Sequence, residues 1–293
     1  MTSSRALLTK GDVSPLRDVP SHIARPEYVG KKRAKQWRGG DVHSAETIEK
    51  IRISARLAAQ ALAEVCSHVA PGVTTDELDR IGHEFLLDHD AYPSTLGYPG
   101  AWGRPAFPKS LCTSVNEIVC HGIPDSTVIE EGDIVKVDIT AFLNGVHGDN
   151  CASVIAGEGS AEAVKLVDAT REALARGIAA AKPGREVNVI GRVIELFATR
   201  HGYESVADYT GHGVGPAFHT GLVIPHYDSA PAHNDVITPG MVFTVEPMLV
   251  MGSQENHEWK DGWTVATDDG SWCAQFEHTV VIHEDGAEIL TLP

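Results

Sequence analysis

Apolar residues recur along this chain with two rhythms, and the switches between them mark out its elements. Alanine-rich residues 44–69 carry apolar positions three and four apart, with Ser44 as N-cap and Pro71-Gly72 as stop, and predict a helix. Thr74-x-x-Glu77 is a capping box that opens a second helix running to about Asp88. Residues 91–110, rich in proline and glycine and bearing Tyr98, Trp102 and Phe107, read as a long loop of the kind that builds binding sites. Alternating runs then predict strands at 111–119, 134–143 and 146–156. Helical spacing returns at 161–181 and 186–201, the first again closed by a Pro-Gly pair at Pro183-Gly184. The last third holds strand-like runs at 205–210, 222–226, 241–250, 263–267, 273–283 and 287–291. Helices set apart from largely antiparallel strands predict an α+β fold, not a doubly wound sheet.

Two features tie distant segments together. Asn144-Gly145, between two alternating runs, predicts a hairpin with a two-residue type I′ turn. With Leu143 opposite Val146, Thr140 faces Asp149 and Asp138 faces Cys151. Asp138 and Asp149 then share one sheet face as diagonal neighbours, roughly 7–8 Å apart. The second feature is a duplication. Ala70-Pro-Gly-Val-Thr-Thr-Asp-Glu echoes Lys182-Pro-Gly-Arg-Glu-Val-Asn-Val, each after an alanine-rich helix. Gly132-Asp-Ile-Val-Lys-Val-Asp138 echoes Gly240-Met-Val-Phe-Thr-Val-Glu246 with the same glycine-to-carboxylate spacing. Both repeats are offset by about 110 residues, too long for a solenoid unit. Each half reads as two helices followed by sheet, and a pseudo-twofold arrangement brings Asp138 and Glu246 to a common centre.

Composition is that of a soluble globular chain, and its 293 residues suffice for an ample core. No apolar run reaches membrane length, and the N-terminus lacks a signal-peptide core. Five cysteines, odd in number and without a CxxC pair, predict reduced thiols in a cytoplasmic protein and no structural zinc. Charge is unevenly spread. Residues 1–40 hold nine Lys/Arg against three Asp/Glu, while the remainder holds fifteen against thirty-seven. So acidic a body argues against DNA binding. Residues 1–43 read as an extended, loosely ordered basic arm and linker before a domain at 44–293. Its densest patch, Lys31-Lys-Arg-Ala-Lys-Gln-Trp-Arg38, is either a solvated linker or an electrostatic contact to the ribosome. On that reading, deleting residues 1–40 leaves short-peptide turnover intact.

The chemistry concentrates in Asp138, Asp149, His212, Glu246 and Glu277. Four converging acids repel one another by several kcal/mol unless a cation lies among them. Glu246 and Glu277 sit in apolar strands that supply no Lys or Arg. An oxygen-rich set with one nitrogen suits a pair of divalent ions, and paired metals suit hydrolysis. Manganese, iron, cobalt and zinc are not distinguished by these donors. His212 lies between Gly211 and Gly213, which permit close approach of backbone and ligand. His219, beside Phe218, reads as a hydrogen-bond donor near the metals, and His121, beside a turn, as a donor to substrate. The bland alternatives are solvated acids on an open sheet face, ordinary loop histidines and a buried ion pair. No GxSxG elbow and no phosphate-cradling glycine loop is present.

Seven motifs in order resemble methionine aminopeptidases of type I, bacterial ones with an N-terminal extension. They are Asn116-Glu-Ile-Val-Cys-His121-Gly-Ile-Pro, Val137-Asp138-Ile-Thr, His147-Gly-Asp149, Gly211-His212-Gly-Val-Gly, Phe218-His219, Thr244-Val-Glu246-Pro-Met and Gln275-Phe-Glu277-His-Thr. The resemblance spans about residues 44–293 and implies the pita-bread fold. It implies that Asp138 chelates one metal, that Asp149 and Glu277 bridge two, and that His212 and Glu246 complete the second site. It further implies that a hydroxide held between the metals attacks the carbonyl of the initiator methionine of a nascent chain. Glu246 moves the proton, His219 stabilises the oxyanion, and His121 bonds the substrate backbone. Thr95, Tyr98, Phe107, Cys112, Phe218 and Trp263 form the methionine pocket. Three departures stand out. The link between Tyr98 and Phe107 is longer than in the family, Asp149 is followed by Asn150-Cys151, and Cys273 replaces a small hydroxyl residue expected beside a monovalent-cation site. An X-Pro peptidase of the same fold and a non-catalytic ribosome-associated relative are the alternatives.

Overall fold

Residues 5–293 are described by a computed structural model, apart from the side chain of Trp102. In the first half, α1 (Ala45–Ser67) and α2 (Thr75–Asp88) precede β1 (Tyr92–Pro93), β2 (Cys112–Val115) and β3 (Ile118–Cys120). The long hairpin of β4 (Ile134–Leu143) and β5 (Val146–Ile155) follows. In the second half, α3 (Ala161–Ala180) and α4 (Asn188–Arg200) precede β6 (Glu204–Ser205), β7 (Gly211–His212), β8 (Val223–Ile224), β9 (Val242–Val245) and β10 (Met248–Val250). The chain closes with β11 (Asn256–Glu258), β12 (Val265–Thr267), β13 (Cys273–Gln275), β14 (Glu277–His283) and β15 (Gly286–Ile289). The main sheet runs β1-β4-β5-β14-β15, with β2 also on β4 and β9 also on β14, every pairing antiparallel.

The hairpin has the register read from its turn: Leu143 opposes Val146, Thr140 opposes Asp149 and Asp138 opposes Cys151. Asn144 and Gly145 both have positive φ, 56° and 81°, as a type I′ turn requires. Ser44 caps α1 by accepting from Thr47 N–H at 3.2 Å, and Thr74 caps α2 by accepting from Glu77 N–H at 3.2 Å. The capping box at Thr74 is only half made, because the Glu77 carboxylate turns to Arg80 at 2.6 and 2.9 Å. Three predicted strands are broken. The run 111–119 folds back at Asn116, whose φ is 49°. The run 241–250 breaks at Glu246-Pro247, where proline has no N–H for the ladder, and 273–283 breaks at Phe276. The run 205–210 shortens to two residues, and β11 carried no clear alternation to announce it.

The duplication survives in the backbone. Gly72 N–H bonds Ile129 O at 2.8 Å, and Gly184 N–H bonds Ile237 O at 2.9 Å, so each Pro-Gly turn is stitched to the segment entering its sheet. Gly132 and Gly240, with φ of 83° and 88°, turn the chain into β4, which carries Asp138 in its middle, and into β9, which leads to Glu246. The core is likewise divided. Ala58, Leu62 and Val65 of α1 pack with Val135, Val137 and Ile139 of β4. Leu166, Ala173 and Leu174 of α3 pack with Phe243, Val245 and Val280. Gly148 lets α1 lie directly on β5, since a Cβ there would stand 2.3 Å from Ala55 N. That close approach fixes the height of its neighbour Asp149.

The described part of the arm, residues 5–43, makes specific contacts with the body. Arg17 Nε donates to Asp79 at 2.8 Å and its Nη2 to Asp76 at 3.1 Å. Ser14 Oγ donates to Asp76 at 2.7 Å, Arg5 pairs with Asp133, and Ile23 and Tyr28 are buried. The Tyr28 ring meets Tyr98 edge-on at 4.9 Å. The basic residues of the arm thus divide: Arg5 and Arg17 bond acids of the body, while Lys31, Lys32, Arg33, Lys35 and Arg38 stay exposed.

Candidate metal centre and substrate pocket

Strand register assembles the acids in two rungs. Asp138 of β4 opposes Cys151 of β5, which opposes Glu277 of β14, so these three side chains share a face. On the next rung Thr140 opposes Asp149, and Thr140 Oγ1 donates to Asp149 Oδ1 at 2.6 Å. Glu246 enters from the end of β9. Its Oε1 accepts from Thr244 Oγ1 at 2.7 Å, its Oε2 lies 3.4 Å from Gln275 Nε2, and its N–H donates to His226 Nε2 at 3.0 Å. His212, on β7, places Nε2 3.5 Å from Asp149 Oδ2 and 3.7 Å from Glu246 Oε1.

The glycines beside His212 admit close approach of neighbouring protein atoms, the backbone part of the expectation. A Cβ at Gly211 would stand 2.4 Å from Thr244 O, and one at Gly213 would stand 2.1 Å from Thr220 Oγ1. Protein atoms therefore fill the space that the glycines open.

All five residues line one cavity of about 450 Å³, and so do His121, His219 and the six residues expected to hold methionine. Phe107 meets Trp263 edge-on at 5.3 Å, and Tyr98 meets Phe218 edge-on at 5.3 Å, giving the pocket aromatic walls. The longer 99–106 link does not displace its ends. Phe107 N–H bonds Tyr98 O at 2.9 Å and Gly97 N–H bonds Phe107 O at 2.8 Å, so the extra residues leave the pocket from a closed base. Trp263 Nε1 donates to Pro105 O at 3.0 Å, tying that loop to the pocket wall. Tyr209, Leu222, Met248 and Gln275 also line the cavity without having been singled out. Gln275, two residues before Glu277, and Met248, two residues after Glu246, each stand inside a quoted motif; Tyr209 and Leu222 lie in segments whose pattern signals only burial or turn.

The electrostatics follow from crowding. Burial, then the charges of Asp149 and Glu246, push Asp138 well above the usual carboxylate range. Burial and the other three acids do the same to Glu277. Glu246 is pushed up to about 7 by burial, with His212 and the Thr244 hydroxyl pulling the other way. Burial opposes a charged His212, but its contact with Asp149 and the charge of Glu246 outweigh it and raise the imidazole. Burial pushes His121 down to about 4. His219 reaches solvent at the cavity mouth, yet the protein around its other faces and three neighbouring imidazoles hold it well below its ordinary value. Cys151 lies between two acids, and burial with their charges pushes its thiol up, so it stays neutral.

The donor set fits divalent ions. Ligand atoms of Asp149, His212 and Glu277 lie within 4.8 Å of one another. Glu277 Oε1 is buried without a hydrogen-bond partner, which is costly for a carboxylate unless a cation or proton meets it. Asp138 and Glu246 line the same cavity as that group.

Comparison with known proteins agrees with this geometry. Residues 49–284 match the metallopeptidase family M24. The chain is similar to methionine aminopeptidase 2 of Mycobacterium tuberculosis, with 57% identity over 98% of this chain and 99% of that one. It is 46% identical to methionine aminopeptidase 1D of Arabidopsis thaliana, a chloroplastic and mitochondrial protein, over 98% of this chain and 80% of that one. The solved methionine aminopeptidase of Rickettsia prowazekii superposes with a TM-score of 0.81 at 40% identity, covering 86% of this chain and 99% of that one.

Proposed function

The chain belongs to the methionine aminopeptidases of metallopeptidase family M24, with their pita-bread fold, and from that premise we propose that it removes the N-terminal methionine of nascent polypeptides and short peptides. The observation that carries this reading is the meeting of two residue sets in one cavity: four acids with a histidine, and an aromatic-walled pocket. Asp138, Asp149, His212, Glu246 and Glu277 are the residues that would hold two divalent ions. Such ions, when bound, activate water at neutral pH and polarise the scissile carbonyl.

This chain's residues supply the rest. Glu246, oriented by the Thr244 hydroxyl at 2.7 Å and by Gln275, takes the proton of the attacking water and returns it to the leaving amine. Tyr98 O–H and His219 Nδ1 lie 2.9 Å apart. With Tyr98 donating, the His219 proton sits on Nε2, where it can meet the developing oxyanion. His121, held neutral by burial, bonds the substrate backbone. The methionine side chain enters among Thr95, Tyr98, Phe107, Cys112, Phe218 and Trp263, and a shorter side chain loses about 1–3 kcal/mol per methylene there. Cytoplasmic location is supported by five free thiols among the described residues, and no helix is long and apolar enough to cross a membrane. The exposed patch at residues 31–38 is the segment offered to ribosomal phosphates.

The test is release of methionine from Met-Ala-Ser, compared with cleavage of X-Pro peptides, with manganese, iron, cobalt or zinc and after chelation. Metal-dependent methionine release with negligible X-Pro cleavage is expected. Absence of metal-dependent release, or faster X-Pro cleavage, overturns the assignment.

A further inference from the structure

Among the described residues two lysines are wholly buried, Lys109 and Lys136, and they differ in company. Lys109 pairs with Asp76 and stands 3.9 Å from Asp79. Lys136 has only neutral partners. Its Nζ donates to Asn116 O at 2.8 Å, to Cys273 O at 2.9 Å and to Cys273 Sγ at 3.4 Å. Burying an ammonium is expensive unless its hydration is replaced, and here three donors meet three acceptors. The acceptors come from remote segments, the β2–β3 turn and the start of β13. Ile118 O also turns inward and lies 3.3 Å from Cys273 Sγ. Carbonyl oxygens pointed at one another repel unless a cation lies between them, which is how backbone rings bind alkali ions.

We propose that the Lys136 ammonium is a built-in monovalent cation, which fills the carbonyl cluster of Asn116 and Cys273 and frees this enzyme from any need for potassium or sodium there. The donor set does not fit a free alkali ion. Nζ already stands at hydrogen-bond distance from both carbonyls, and the Cys273 thiol is a softer donor than alkali ions accept. The expectation of a monovalent ion beside Cys273 is thereby answered by a side chain of the protein itself.

Lys136 acts as a positioning residue. It anchors the start of β13, whose other end is held by Ser153: Ser153 Oγ donates to Gln275 O at 2.8 Å, and Gln275 N–H donates back at 2.9 Å. From that strand Gln275 reaches Glu246, and Glu277 follows two residues later. Its own strand carries Asp138 two residues on, so one ammonium ties together backbones that present acids from both halves. The equivalent position in the second half is Thr244, whose hydroxyl serves Glu246 directly.

The experiment reads thermal unfolding, so its outcome does not depend on the catalytic assignment. Wild-type protein is melted at equal ionic strength in potassium chloride and in tetramethylammonium chloride, whose cation is too large to enter the cluster. The midpoint should be the same in both salts. Lys136→Ala, which opens the cluster, should melt lower in tetramethylammonium and recover saturably with potassium or ammonium, as for any ligand that binds only the native state. Lys136→Met, which fills the space without charge, should melt low and stay indifferent to the cation. A saturable rise in wild-type midpoint with potassium overturns the proposal. So does a Lys136→Ala protein whose folding or midpoint does not respond to potassium or ammonium.

Discussion

Just before β4, Glu130 N–H donates to the Asp133 carboxylate at 2.8 Å; at the equivalent place before β9, Thr238 N–H donates to the Met241 thioether at 3.1 Å. Both turns also close through the backbone, Asp133 N–H to Glu130 O at 3.2 Å and Met241 N–H to Thr238 O at 3.1 Å. The two halves thus build one turn with opposite chemistry. Asp133 is buried, accepts from Asn116 Nδ2 at 2.8 Å and pairs with Arg5 of the arm, whereas Met241 belongs to an apolar cluster. The contrast extends outward. The first helix pair carries Asp76 and Asp79 to meet Arg17 and Lys109, while the second pair buries mostly alkyl and aromatic groups. Backbone hydrogen bonds preserve the duplication, and buried charge records which half the arm covers.

The contrast predicts where the halves behave alike. At the centre they are equivalent, so Asp138→Asn and Glu246→Gln should each lower methionine release by more than about 100-fold, the upper end for residues that only support a metal ligand. Steady-state rates on Met-Ala-Ser at saturating metal check this. A large loss in one variant alone would deny the equivalence.

Away from the centre the halves should part. Deleting residues 1–40 strips Arg17 from buried Asp79, leaving it the Ser110 N–H at 2.7 Å and, as its cation, only Lys109 at 3.9 Å, and should cost about 3 kcal/mol. Hydrogen exchange should then rise in α2 and β2 more than in α3 and α4. Because Tyr28 braces Tyr98, peptide turnover should fall too, contrary to the view of the arm as a detachable tether. Charge reversal at Lys32 and Arg33, both exposed, separates the roles: it should weaken ribosome co-sedimentation at low salt and leave peptide turnover unchanged.

The smallest effects belong to the paired turns. Asp133→Asn keeps the shape but weakens the contact to Arg5, and should cost about 1–3 kcal/mol. Met241→Leu preserves apolar volume and should cost less than about 1.5 kcal/mol. Urea denaturation of both variants, with and without residues 1–40, would show whether the difference comes from the arm. Once the arm is gone, the Asp133 penalty should shrink.

Much of this was legible in the chain because it rests on local geometry. A period of two and an Asn-Gly turn suffice to put Asp138 and Asp149 on one face, since side-chain alternation allows no other register. Glycine-to-acid spacing suffices to make Asp138 and Glu246 equivalents, since both strands leave a positive-φ glycine. The breaks at Asn116, Glu246-Pro247 and Phe276 were less legible, because each depends on what the next strand needs as a partner. Nor could local pattern tell which protein atoms would pack against Gly211 and Gly213, or that a longer 99–106 link would leave from a closed base.

What the sequence determined by itself was therefore the set of acids, their pairing and the family of chemistry, all carried by spacings of a few residues. Only the tertiary structure decided what surrounds them: that Arg5 and Arg17 are spent on buried carboxylates, and that the Lys136 ammonium sits among carbonyls from two remote turns. The reason is physical. Alternation and turn type act between neighbours in the chain, whereas the cost of a buried charge is set by whichever distant atoms come to meet it.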